Sequence, residues 1–143
     1  MPKKSMVNKC IFLMQLTREK KLTIISKMIQ RFIRITLACD IPYSVSIGEG
    51  TYFAHNGLGV VIHSKSIIGD NCKFLHNVTV GGRNNRGCPI IEDNVFIGAG
   101  ACILGGITIG KGAVTGANTV VLKNVPPNAV VVGIPGEIIK IND

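Results

Sequence analysis

Residues 91–125 read IEDNVF IGAGAC ILGGIT IGKGAV TGANTV VLKNV when cut every six residues. Ile91, Ile97, Ile103, Ile109, Thr115 and Val121 open the successive blocks, and Val95, Ala101, Ile107, Ala113, Thr119 and Val125 follow each of them by four. A period of six fits neither the 3.6 residues of a helical turn nor the two-residue alternation of a simple strand. It fits a short strand and a turn, repeated. Each hexad supplies one flat side with two inward side chains, and Gly, Asn and Asp supply the corner because they tolerate positive φ. Asp93-Asn94, Ala117-Asn118 and, upstream, Asp70-Asn71 are such corners. Three sides close a coil of roughly 18 residues, and coils stack about 4.8 Å apart. One coil cannot bury its own apolar face, so the unit exists only as a stack. An ordinary β-sandwich with regular turns would not hold one period through six consecutive blocks.

Upstream the same period runs through Ile41, Ile47 and Phe53, and again through Ile62, Ile68, Phe74 and Val80. It breaks twice. Between Phe53 and Ile62 the step is nine, and the extra residues hold His55, Asn56 and Gly57. Between Val80 and Ile91 the break holds Gly81-Gly82-Arg83-Asn84-Asn85-Arg86-Gly87-Cys88-Pro89. With the breaks removed, residues 41–125 make about four coils, a prism roughly 20 Å tall. A neutral imidazole takes up a hydroxyl proton near pH 7, so the irregular backbone at His55 is where a general base is expected.

Residues 1–40 are a different region. All 17 glycines lie beyond residue 47, whereas residues 1–40 hold nine of the 16 Lys and Arg against Glu19 and Asp40. The net charge of +8 is therefore carried by this arm, and a nucleic-acid surface spread over the whole chain is not expected. The spacing of Leu22, Ile25, Met28, Ile29, Phe32 and Ile33 predicts helix within residues 7–38, with a break near Thr17 to Lys21 and an end before Pro42. Two readings of the arm stay open: its apolar stripe packs on the body or a neighbouring subunit, or it rests on an anionic membrane surface. No run is long enough for a signal or membrane-spanning segment. The five cysteines have no zinc or CxxC spacing and read as free thiols of a cytoplasmic protein, with a seat at the inner face of a membrane as the companion of the arm's second reading. The division expected is a basic helical arm, 1–40, and a β-helix domain with a C-terminal tail, 41–143.

The repeat resembles the hexapeptide-repeat acyltransferases over about residues 38–141. Ile97-Gly98-Ala99-Gly100-Ala101, Val121-Leu122-Lys123-Asn124-Val125-Pro126 and Gly133-Ile134-Pro135 look like the last coils and tail of the serine acetyltransferase-like branch. The resemblance implies an all-β, left-handed parallel β-helix, a homotrimer, and acetyl-CoA held between adjacent prisms as co-substrate, with no metal. It places the catalytic base at His55, backbone oxyanion donors at Gly81 and Gly82, and acceptor contacts at His63, His76, Arg83 and Arg86. Acetyl-CoA contacts fall at Ala99, Ala117, Leu122, Lys123 and Lys140. One tail position that is usually basic is Glu137 here, with Lys111 as a substitute.

Two departures set the expected acceptor. Ala54 precedes His55 where serine acetyltransferases have aspartate, and the loop ends Gly87-Cys88-Pro89 instead of Arg-His-Pro. Those missing groups would hold the ammonium and carboxylate of serine. The likeness to short sugar O-acetyltransferases then makes a sugar hydroxyl the expected acceptor, small or lipid-linked, in surface-polysaccharide synthesis. Serine is the alternative, and a non-catalytic scaffold the second. The lost aspartate leaves Glu92 or Asp93 of a neighbouring chain, or a backbone carbonyl, to orient His55. A zinc site of the γ-class carbonic anhydrase kind needs a close His-x4-His pair, and the spacings here are 8 and 13.

Overall fold

Every inward position that the six-residue period marks is buried, from Ile41 through Val125. The structure is a computed structural model that describes residues 5–142; residues 1–4 of the arm and Asp143 of the tail lie outside the described residues. The fold is the expected left-handed parallel β-helix, entered through two N-terminal helices.

Three parallel sheets form its faces. The first face stacks strands 46–47, 67–68, 90–91 and 108–109. The second stacks 52–53, 73–74, 96–97, 114–115 and 129–132, and the tail strand Glu137–Ile141 closes it in antiparallel register. The third stacks 61–62, 79–81, 102–104 and 120–121. Ser46 pairs with Ile67, Ile67 with Ile90 and Ile90 with Thr108, so successive coils take 21, 23 and 18 residues. The last value is the undisturbed repeat. The other two exceed it by the lengths of the two breaks, which leave the pairing of the faces intact.

The corners interlock from coil to coil. Gly50 has φ +72°, and the side-chain oxygen of Asn71, one coil on, occupies the space where a Cβ on Gly50 would sit. The same pairing recurs between Gly59 and Asn77, Gly100 and Asn118, and Gly112 and Asn128. Carboxylates cap the neighbouring amides: Glu49 N–H donates to Asp70 Oδ1 at 2.8 Å, and Asp70 N–H to Asp93 Oδ1 at 2.9 Å. Lys111 N–H donates to Glu92 Oε2 at 2.8 Å. Glu92 and Asp93 are therefore structural caps in this chain.

The helix predicted over 7–38 is two helices, α1 (Met6–Glu19) and α2 (Thr23–Thr36), separated near the expected break. α1 lies on the first coil, whose backbone has no preceding coil to pair with. Asn8 Nδ2 donates to Thr51 O at 2.6 Å, Phe53 N–H donates to Asn8 Oδ1 at 3.2 Å, and Gln15 Nε2 donates to Ile47 O at 2.6 Å. Val7, Ile11 and Met14 go into the core beneath. Such a lid protects an edge that would otherwise template association. Burial of the predicted apolar stripe is only partly realised. Ile33 is buried and Ile29 packs on the core, but Leu22, Ile25, Met28 and Phe32 are exposed. Val60, at the end of the irregular first break, is fully buried.

Gly50→Ala places a Cβ against Asn71 in a left-handed conformation, so it should cost about 2 kcal/mol of stability. Gly81 is the control, because a Cβ there meets nothing closer than 3.7 Å; Gly81→Ala should shift stability by less than about 0.5 kcal/mol. Urea denaturation measures both, and equal losses would contradict the corner packing.

Candidate active site

The first break folds as a tight turn, Ala54–Gly57, between the second and third faces of the first coil. His55 and Asn56 both take left-handed backbone angles, with φ 51° and 55°. Two such residues in succession, neither a glycine, are strained and persist only where the surroundings hold them. Here α1 does so. Met6 N–H donates to Asn56 Oδ1 at 2.9 Å, and buried Gly57 sits against Val7 and Cys39. The imidazole of His55 is left exposed, edge-to-face with His76 at 5.2 Å between ring centres. His76 lies one coil further on, half-buried, and its Nδ1 is buried without a hydrogen-bond partner.

This edge continues along the prism. Gly100 N–H donates to His76 O at 3.0 Å, and Asn118 N–H to Ala99 O at 2.7 Å. Ala99 and Ala117 therefore share one edge with His55 and His76. Ala99 is half-buried and Ala117 is exposed.

The second break leaves from a different edge, between the third face and the first. Gly81 ends its strand there, and its carbonyl accepts from Gly105 N–H at 2.9 Å. Exposed Arg83 and Arg86 flank a cleft of about 170 Å³ with Gly105, Gly106 and Leu122. His63 belongs to this edge too, since its Nδ1 lies 3.0 Å from Cys88 Sγ and accepts from Lys65 N–H at 3.2 Å. Lys123 follows Leu122 and is exposed. Lys140 stands opposite Val130 on the tail strand. Lys111 sits at the remaining edge and Glu137 on the tail strand, so neither joins the other two groups.

Within one chain the predicted residues thus form two groups on two edges: His55, His76, Ala99 and Ala117 on one, and Gly81, Gly82, Arg83, Arg86, His63, Leu122 and Lys123 on the other. The sequence held the signal for this split, because one break follows the second strand of a coil and the other follows the third. Two contributors escaped the reading of the sequence: Asn56, which ties the histidine turn to α1, and Cys88, which meets His63.

The model of the bacterial transferase hexapeptide (six repeats) matches residues 88–123, the third and fourth coils. Over those residues the chain is similar to the bacterial transferase hexapeptide family. Serine acetyltransferase of Synechococcus elongatus is 37% identical over 124 residues, 85% of this chain and 50% of that protein. Serine acetyltransferase of Brucella abortus in complex with coenzyme A superposes with TM-score 0.87 at 31% identity, covering 94% of this chain and 55% of that one. Soybean serine acetyltransferase complexed with serine superposes with TM-score 0.84 at 38% identity, covering 93% and 56%. The chain spans about half the length of the curated relatives it matches.

These likenesses correct the expected acceptor. The sugar hydroxyl and the polysaccharide pathway rested on Ala54 and Gly87-Cys88-Pro89. The relatives and superposed structures are serine acetyltransferases, one of them holding serine. Two local departures in otherwise matching coils do not outweigh that agreement.

The thiols of the chain differ in surroundings. Cys88 is half-buried beside His63. Cys39 is buried at the foot of the arm, and burial, with smaller contributions from Asp40 and Cys10, pushes its thiol up to about 11. Burial raises Cys72 as well. The thiolate is the form that alkylates. A thiol held at about 11 is about a hundredfold less ionised at pH 8 than an ordinary one. Iodoacetamide at pH 8 should therefore label Cys39 at least about a hundredfold more slowly in native protein than in urea, followed by peptide mass mapping. Equal rates would contradict the packing of the arm on the first coil.

Proposed function

We propose that this chain is an acetyl-CoA-dependent serine O-acetyltransferase of the cytoplasm and that it works as a homotrimer. The observation that carries the reading is the exposed imidazole of His55. It is held on a strained turn of a chain that superposes as a whole on one enzyme complexed with coenzyme A and on another complexed with serine. The five described cysteines are free thiols, which suits a reducing compartment.

His55 takes the proton from the hydroxyl of serine as that oxygen attacks the thioester carbonyl of acetyl-CoA. The new C–O bond makes a tetrahedral oxyanion, and backbone N–H groups at Gly81 and Gly82 stabilise it. Collapse breaks the C–S bond, and protonated His55 returns the proton to the departing thiolate. The products are O-acetylserine and coenzyme A. The edge-to-face ring of His76 limits where the His55 imidazole can turn. Arg83 or Arg86 answers the carboxylate of serine, with His63 behind the loop.

The two edges support the trimer. Each edge carries only part of the residues assigned to the site, so the His55 edge of one prism meets the loop edge of the next, and three such contacts close a ring. Half-buried outward residues such as Phe96, Cys102 and Val120 add apolar area to the faces that would meet. Acetyl-CoA then lies between chains, along Ala99 and Ala117 of one and Leu122 and Lys123 of the other, with Lys140 toward its phosphates.

Release of coenzyme A from acetyl-CoA in the presence of serine tests the reading. Wild-type protein should show serine-dependent release, and His55→Ala should lower kcat by about 10²–10⁴-fold, the usual worth of a general base, with an unchanged sedimentation coefficient. Absence of serine-dependent release by the wild type would reject the acceptor. Near-normal turnover in the variant would reject the base.

A further inference from the structure

We propose that α2 docks the chain on a membrane surface bearing anionic lipid, a binding role beyond the proposed reaction and independent of it. α2 touches the rest of the molecule along one side only. Ser26 is buried with its Oγ 2.7 Å from Thr17 Oγ1, Tyr43 N–H donates to Gln30 Oε1 at 3.1 Å, Ile33 is buried, and Ile29 packs on the core. At 100° per residue these four positions cluster on the helix surface. Ile24, Met28 and Ile35 fall diametrically opposite them. They are 75%, 66% and 77% exposed, the outermost large apolar side chains of the helix.

Charge borders that strip on one side. Lys27, Arg31 and Arg34 form a row along it, while Phe32 and Ile25 flank it on the other side. Arg34 shares its charge with Asp40 at 3.6 Å, but Lys27 and Arg31 have no carboxylate partner among the described residues. Lys20 and Lys21 continue the positive charge before the helix, and no acidic residue occurs between Lys20 and Cys39. A helix with an apolar strip and a cationic border fits the boundary between lipid headgroups and acyl chains, where each part meets its complement. With 14 residues, α2 is about 21 Å long. Among the described residues no helix is long and apolar enough to cross a membrane, so α2 would lie in the plane of the surface.

A second copy of the chain fits the strip less well. Two strips facing each other would bring both cationic rows together with no acidic side chain on either helix to answer them. Like charges juxtaposed in this way oppose association.

Co-sedimentation of the full chain with vesicles tests the proposal, using phosphatidylcholine vesicles with and without about a third phosphatidylserine, at low and high salt. Binding is expected to the phosphatidylserine vesicles at low salt and at least about tenfold weaker on phosphatidylcholine alone or at high salt. Lys27→Gln with Arg31→Gln should weaken binding about 25-fold, about fivefold per cation. Met28→Ser with Ile35→Ser should abolish it. Neither pair touches the residues assigned to acetyl transfer, so activity in solution and sedimentation coefficient should stay unchanged. The proposal is overturned by equal binding to the two vesicle types or by binding that neither pair of substitutions weakens. It is also overturned by a smaller assembly in the Met28→Ser, Ile35→Ser protein, which would assign the strip to a second copy.

Discussion

Hydrogen bonds between coils run along the axis of the prism, and they fix how the chain can vary. Gly48 N–H donates to Ile68 O, Gly69 N–H to Ile91 O, Glu92 N–H to Ile109 O and Gly110 N–H to Val125 O, one unbroken column along the first face. A residue inserted within a face would break such a column and turn the inward side chains outward. An insertion at a corner leaves every column intact. Extra residues therefore collect at edges, and the edges are where irregular backbone, exposed imidazole and exposed guanidinium groups occur. Chemistry on this fold is confined to the corners by the same pairing that makes it stable.

That constraint explains what the sequence disclosed. Inward positions could be counted because the period leaves no freedom within a face, and the two failures of the period marked the histidine turn and the arginine loop. Contacts across large separations in sequence were not legible. The hold of α1 on the His55 turn depends on Met6 meeting Asn56, and the Cys88–His63 contact spans 25 residues. Val60 shows the local limit. It lies inside an irregular segment where counting by six assigns no face, and it is completely buried there. The acceptor was misread for a related reason. Ala54 and Cys88 mark lost side chains, but loss of a contact at one place does not determine which hydroxyl the surrounding coils present to the base.

The arm has two separable jobs. α1 satisfies the open backbone edge of the first coil and braces the His55 turn, so it belongs to the body in an energetic sense even though its composition sets it apart. α2 is held through a narrow side that includes a buried Thr17–Ser26 hydroxyl pair. Its opposite side is built to meet something outside the chain. The positive charge of the protein is concentrated on that element and the residues just before it, not around the cleft at Arg83 and Arg86.

The central claim is that one reaction site is assembled from two different edges on two chains. Mixing subunits tests it most directly. A His55→Ala chain keeps the loop edge, and an Arg83→Glu, Arg86→Glu chain keeps the histidine edge. Each should be inactive alone, with serine-dependent release of coenzyme A as the readout. After co-refolding in equal amounts, about a quarter of the interfaces join two intact edges in a closed three-fold ring, so activity should return to about a quarter of the wild-type level. A mixture as inactive as its parents would contradict a site shared between chains.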